Sequence, residues 1–374
     1  MPRRTATMLA SLLTLIALLC AGVLIPVPYA GMSPGPSYDV LGKDRETGEP
    51  VLQIKGRKTY GAEGHLNMTT VQVTRADHDM NLFEAVHGWL SDDDIVVPYE
   101  NLYPDDKSAE EVNEENAEEF TLSQESAKVA ALRHLKIPVR TRVVVAAVVK
   151  GGAAQGKLHA GDVIVKVDGK PVRDPADVGR LVSAHRPGER VEFSVVPAER
   201  AKKAEEAEKK AGGAGRTGEE AARTVPVTIT TRKAPDGDRA VVGIQAAADH
   251  SLPFRIDIKL ADVGGPSAGL MFALAVIDRL TPGSMTGGKF IAGTGTIDDN
   301  GEVNPIGGIA MKTIGARRAG AEYFLTPADN CAAAAADVPD GLTLVKVRNL
   351  DDAVRAVEDI SAGRTSELPS CTKR

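Results

Sequence analysis

Between Met8 and Ile25 the chain sets 18 consecutive residues without a charge, dominated by Leu, Ala, Val and Ile, directly after Arg3 and Arg4. A secretory h-region runs to about 7 to 15 residues, so this run is too long for one. Continued to Val27 it makes about 30 Å of helix, the thickness of a bilayer core. No polar face interrupts it, which argues against a buried helix of a soluble core. An Ala-x-Ala cleavage pattern ending at Ala30 would need a small residue where Pro28 stands. Residues 1–30 are therefore expected to be an uncleaved single-pass anchor, with the arginines inside and the rest of the chain outside.

The remaining sequence must fold in water. At 374 residues, 43% of them hydrophobic, the chain can build two or three domains with real cores and is not disordered. The net charge of −6 and the absence of any Lys/Arg concentration argue against nucleic acid as a partner. Three cysteines, none in a Cys-x-x-Cys pair, exclude a disulfide scaffold and a zinc cluster, although Cys331 and Cys371 could bridge outside the cytoplasm. The seven histidines form no ligand cluster, so neither a metal nor any other cofactor is expected.

From Tyr38 to Tyr99 short β-rich runs such as Val51–Ile54 and Thr70–Val73 alternate with Gly and Asp turns. Asp105 to Glu119 carries eight acidic residues and one lysine and reads as a solvated loop. Thr121 and Gln124 form a capping-box pattern for a helix carrying Val129, Leu132 and Leu135. Further on come Val143–Val149, Gly151-Gly152-Ala153-Ala154, Leu158-His159-Ala160-Gly161-Asp162-Val163-Ile164 and Val167-Asp168-Gly169-Lys170-Pro171-Val172, then Pro187-Gly188-Glu189. This succession resembles a bacterial-type PDZ domain, assigned here to residues 139–232. The resemblance implies a β-rich unit that binds an extended peptide as an added strand, with the carboxylate-binding loop expected around Ile137 to Val143. Within the unit, residues 199–223 are Lys, Glu and Ala broken by Gly212, Gly213 and Gly215, a helical hairpin tip or a disordered excursion before a last strand at Val225 to Thr231.

The chemistry is concentrated further along. Asp262-Val263-Gly264-Gly265-Pro266-Ser267-Ala268-Gly269 precedes an apolar helix from Leu270 to Leu280. Glycines let a backbone approach closely, and amides free at a helix N-terminus can stabilise an oxyanion. Taken alone, Gly-Pro-Ser before a helix is equally an ordinary cap, or a phosphate cradle of the small-molecule kinase type. A second element follows, Pro305-Ile306-Gly307-Gly308-Ile309-Ala310-Met311-Lys312. Lys312 is a single cation among apolar residues, where desolvation would lower its pKa. The shift is needed, because at the ordinary value only about one lysine in 2,500 is neutral at pH 7.

Together these two motifs resemble the proteolytic domain of Lon proteases, over about Ile256 to Val357. The resemblance implies Ser267 as nucleophile, Lys312 as base and Thr294 as the residue orienting that lysine, with Gly265, Pro266 and Ala268 in the supporting or oxyanion region. Gly264 stands where the family commonly has Asp, and Ala310-Met311 where it has Lys-Glu. Gln124-Glu125-Ser126-Ala127 resembles the helix that precedes the catalytic serine segment in Lon. On that basis residues 31–138 supply an N-terminal part of the protease region and residues 233–374 carry the dyad. The expected fold class is α+β: a Lon-type proteolytic domain of α/β, ribosomal protein S5 domain 2-like architecture with an inserted PDZ domain and one N-terminal transmembrane helix.

The whole resembles the membrane-anchored, PDZ-containing Lon-like serine proteases of bacteria. That implies an endopeptidase at the bacterial cell membrane with its catalytic part extracytoplasmic. Its partners would be peptides or unfolded proteins, a PDZ peptide ligand and the membrane, and the Lon resemblance suggests a homo-oligomeric ring. No Gly-x4-Gly-Lys-[Ser/Thr] loop occurs in the chain, so cleavage is expected to be independent of ATP. The alternative is a catalytically idle PDZ scaffold at the membrane.

Overall fold

A computed structural model describes residues 3–91, 93–104, 106–210, 223–235, 237–260 and 263–371. The chain divides into two compact units, residues 1–137 with 254–374, and residues 138–253. Asp262 and the glycines at 212, 213 and 215 lie outside the described residues.

The first unit begins with helix α1, Arg3–Leu24, whose window Thr7–Leu24 has a mean hydropathy of 2.4. Its apolar side chains are exposed, as they must be if no polypeptide covers them. Strands β1 (Tyr29–Asp39), β2 (Leu52–Lys55) and β3 (His65–Val73) follow, then helix α2 (Leu82–Leu90) and strand β4 (Ile95–Pro98).

Helix α3 runs from Ala109 to His134, so most of the acidic stretch is helical rather than loop. Its capping box is Ser108 with Glu111, and Thr121 and Gln124 fall mid-helix. Glutamate is a good helix former, and at the first turn it also complements the helix dipole, so the solvated charges report an exposed helical face.

The second unit is a six-stranded sheet with the path β9-β5-β6-β7-β8, where β5 is Arg140–Val148, β6 Val163–Val167, β7 Arg190–Val196, β8 Val225–Thr230 and β9 Ile244–Ser251; the short strand Lys170–Pro171 pairs beside β6. Helix α4 (Pro175–Ser183) packs on this sheet, and helix α5 (Ala198–Lys210) occupies the first part of the charged segment. Val143, Val145, Ile164, Val191, Phe193 and Ile229 centre its core. A boundary at residue 232 is too early: β9 pairs with β5 from Ile244↔Val148 to Ser251↔Arg140. Its sequence, IQAAADHS, lacks the β-branched alternation that marks a strand, and it is recruited by its partner's free edge.

The chain then returns to the first unit through strand β10 (Arg255–Ile258), which pairs with β2. Helix α6 (Gly269–Leu280), strand β11 (Phe290–Gly293), helix α7 (Ile309–Arg318), strands β12 (Tyr323–Pro327) and β13 (Thr343–Val347) and helix α8 (Leu350–Ser361) are its main remaining elements. The sheet order is β13-β12-β11-β3-β1-β4, parallel from β13 to β3 and antiparallel from β3 to β4. Residues 269–278 of α6 are all buried, as an all-round apolar helix requires. The register Met68↔Gly293 joins the two halves of the discontinuous unit beside the candidate site.

Candidate active site

Ser267 sits two residues before the first turn of α6. The turn is made by Gly265, in the left-handed region at φ +81°, and by Pro266. It is held from two sides. On one, the Gly265 N–H donates to the Asn116 carbonyl at 2.8 Å, and Ser123 Oγ donates to the Pro266 carbonyl at 2.8 Å, both partners coming from α3. On the other, the Ser267 carbonyl accepts from the Gly295 N–H and from Thr294 Oγ1, each at 2.9 Å. Gly269 is tied to this arrangement, because a Cβ there would meet Ser123 Oγ at 2.8 Å and Ile297 Cγ2 at 2.9 Å.

Lys312 projects from the first turn of α7, which lies across β1 and β3. Gly308, its N-cap at φ +68°, permits that approach, since a Cβ there would stand 2.8 Å from Val71 Cγ2. Lys312 is only 4% exposed. Its Nζ donates to the Thr69 carbonyl at 2.8 Å and stands 2.9 Å from Ser267 Oγ. Burial lowers its pKa from the ordinary lysine range to about 8. At pH 7 about a tenth of the molecules then carry a neutral amine, some 200-fold more than for a solvated lysine. A neutral amine has two N–H groups and one lone pair. With one N–H held by Thr69, the lone pair can face the serine hydroxyl.

Thr294 is 1% exposed and bonds the Ser267 carbonyl, not Lys312. It holds the backbone of Ser267, and the Lys312 amine is oriented by the main-chain oxygen of Thr69 instead. Within the expected oxyanion region, Gly265 has its N–H engaged by Asn116 and Pro266 has none. The N–H groups of Ser267 and Ala268 have no partner among the described residues and lie where the helix begins.

Ser267 and Lys312 open onto a cleft of about 580 Å³ lined by Met32, Tyr38, Val71, Val263, Pro305 and Ile306. That volume suits a peptide segment. Ile306 is gripped by Asn330, which is buried and whose Oδ1 accepts from the Ile306 N–H and Nδ2 donates to its carbonyl, both at 2.9 Å. The next residue, Cys331, is disulfide-bonded to Cys371. No group of three or more His, Cys, Asp or Glu that could hold a metal occurs among the described residues.

The stretch expected to hold a carboxylate-binding loop, Ile137 to Val143, leads into β5, which lies between β9 and β6 and pairs with β6 at Val143 and Val144. An internal strand has no free edge for a peptide. The edge strand beside β5 is β9, entered through Val241, Val242 and Gly243 (φ +75°). Together with Val178 and Val182 of α4, that loop and Ile244 line a groove of about 550 Å³.

Comparison with known proteins matches residues 261–358 to the Lon protease (S16) C-terminal proteolytic domain. Residues 113–208 match the PDZ domain family, a span that begins within α3 and ends before β8 and β9. Lon protease 1 of Bacillus subtilis (strain 168) is 37% identical over 92 residues, 24% of this chain and 12% of that protein. Lon protease 1 of Sorangium cellulosum (strain So ce56) is 42% identical over 93 residues, 24% of this chain and 11% of that protein. A probable periplasmic serine endoprotease DegP-like of Pseudomonas fulva (strain 12-X) is 28% identical over 155 residues, 41% of this chain and 25% of that protein. The chain thus spans about an eighth of the length of the two Lon relatives. It carries a PDZ domain and a Lon-type proteolytic domain, the latter of the S16 serine peptidase class.

Proposed function

We propose that this PDZ-containing Lon-like protein is a membrane-tethered, ATP-independent serine endopeptidase with Ser267 and Lys312 as a catalytic dyad. The observation that carries the reading is the 2.9 Å approach of a buried, pKa-lowered Lys312 Nζ to Ser267 Oγ. As Oγ attacks a scissile carbonyl, the neutral amine takes its proton, which removes the need for a histidine. The developing oxyanion is met by the N–H groups of Ser267 and Ala268. The ammonium then returns the proton to the leaving amine, releasing one product and leaving an acyl group on Oγ. Water attacks that ester with the same lysine as base, freeing the second product and restoring the serine.

The groove between α4 and β9 supplies a second role, the selection or gating of substrates by strand addition. The apolar α1 supplies the tether. An active-site serine reagent tests the assignment: labelling that is lost in Ser267→Ala supports the peptidase, and a folded protein that is never labelled points to the scaffold instead. Comparing extracytoplasmic peptides from cells carrying the native chain and Ser267→Ala then identifies substrates.

A further inference from the structure

Helix α2 is built inside out. At about 100° per residue, Leu82, Phe83, Val86, Trp89 and Leu90 fall within one arc of about 120°. All five are exposed, from 39% at Val86 to 81% at Leu90. The residues the helix buries are its small ones, Ala85 and Gly88, and a Cβ at Gly88 would stand 2.6 Å from Val96 Cγ2. The helix is nevertheless well formed, closed by a capping box between Asn81 and Glu84. A soluble protein rarely turns the large apolar face of an amphipathic helix toward water.

The position of α2 says what covers that face. Phe83 lies against Gly22 near the end of α1, its ring so close that a Cβ on Gly22 would meet Phe83 Cε2 at 2.6 Å. Val23, Leu24 and Ile25 at the same level are themselves more than half exposed. Trp89 stacks edge-on with Tyr29 at 5.3 Å, which places two aromatic residues just beyond the apolar span. Aromatic residues at that depth characterise the bilayer interface. Resting on the tether reading, we infer that α2 lies in the interfacial layer of the leaflet at the C-terminal end of α1, its Leu82–Leu90 stripe in lipid. The flanking segments carry Asp77, Asp79, Asp93 and Asp94, so attraction to anionic headgroups is not the driving force. Apolar burial is, and the contact withstands salt. The consequence is a catalytic unit held against the membrane by two elements instead of swinging on one.

Trp89 is the chain's single tryptophan and reports this directly. The full chain would be reconstituted into phosphatidylcholine vesicles, with flotation scored alongside quenching of Trp89 by lipids brominated near the headgroup end or the methyl end of the acyl chain. The expected result is co-flotation, quenching that is stronger from the shallow bromines, and resistance to aqueous acrylamide at high salt. Phe83→Ser with Leu90→Ser should weaken the quenching while the protein still floats. Floating protein whose Trp89 is open to acrylamide and not to bromolipid overturns the proposal and leaves the tether standing. Floating protein whose Trp89 is shielded from both quenchers also overturns it, in favour of a protein partner or second copy on this face. Protein that does not float overturns this proposal and the tether together.

Discussion

Asn330 holds the backbone of Ile306 on both its polar atoms, although 24 residues separate them. Ile306 forms part of the cleft wall, and Gly308, two residues on, caps the helix that carries Lys312. Replacing Asn330 by Ala leaves a part-buried N–H and C=O unpaired, which costs about 1–3 kcal/mol each when nothing replaces the partner. The expected outcome is a folded protein with a lower thermal midpoint and a raised KM for peptides, with kcat less affected. An unchanged KM in the folded variant counts against a role in shaping the cleft.

Ser267→Ala and Lys312→Ala should each reduce peptide cleavage by on the order of 10³-fold or more, and the double variant should be hardly worse than either single one, because each residue acts through the other. Lys312→Arg should be equally inactive, since a guanidinium does not give up its proton. Turnover near that of the native enzyme in any of these folded variants excludes the dyad.

Activity should depend on pH through Lys312. Its folded pKa is about 8, and below that value the amine is protonated and cannot act as base. The acid limb of kcat/KM should therefore have an apparent pKa near 8, falling about tenfold per pH unit beneath it. Stability carries the same signature with a definite sign. Between pH 8 and about 10.5 the unfolded chain holds a proton at this lysine that the folded chain has lost, so rising pH favours folding. Across that window the native protein should gain about 3 kcal/mol relative to Lys312→Met. A pH-independent difference between the two denaturation midpoints would remove burial as the cause.

The Cys331–Cys371 bond closes a separation of 40 residues. A loop of that length restricts the unfolded chain by about 4 kcal/mol in the chain-entropy account. Cys371→Ser, or reduction of the native protein, should lower stability by an amount of that order, with some loss of activity transmitted through the adjoining Asn330. Melting curves with and without reductant check it, and a midpoint that ignores reductant indicates that the bond is not formed in solution.

Residues Arg140 and Ser251 are paired in neighbouring strands, so the two ends of the 138–253 unit lie side by side. Excising it and joining Ile137 to Phe254 through a short Gly/Ser linker should give a folded chain that still hydrolyses small unstructured peptides and loses selectivity among folded or tethered substrates. If the shortened protein treats every substrate class as its parent does, the unit neither selects nor gates.

Sequence reading reached the residues whose chemistry is in their side chains. Neither the glycine-rich turn at Ser267 nor the lone cation Lys312 is specific by itself; it is the two motifs in order, through their resemblance to Lon proteases, that mark the pair, while α6 is visible as an uninterrupted apolar run. What it missed is carried by main-chain atoms and by pairings across long separations. The Thr69 carbonyl that orients Lys312 could have belonged to any residue at that point of β3. Ser123, Asn116 and Asn330 are ordinary polar residues until the fold sets their partners beside them. The Lon resemblance implies that Thr294 orients the lysine, whereas its hydroxyl bonds the Ser267 carbonyl. The strand β9 escaped notice because its weak sequence depends on the edge that β5 offers.

The hydrogen bond from Lys312 to Thr69 spans 243 residues, and the sheet that brings them together is parallel at the join between β3 and β11. At a synthesis rate of about 5–20 residues per second, β3 waits roughly 10 to 50 s for the lysine that uses its carbonyl. During that interval the unit between them has all its strands and can fold from its own contiguous sequence, whereas the outer one still lacks the parallel half of its sheet. Non-local parallel pairing is slow even when every part is present. If Ser267 and Lys312 form the proposed dyad, a chain still short of α7 lacks its base and should be inert toward itself and its neighbours, as should any chain cut short before that helix.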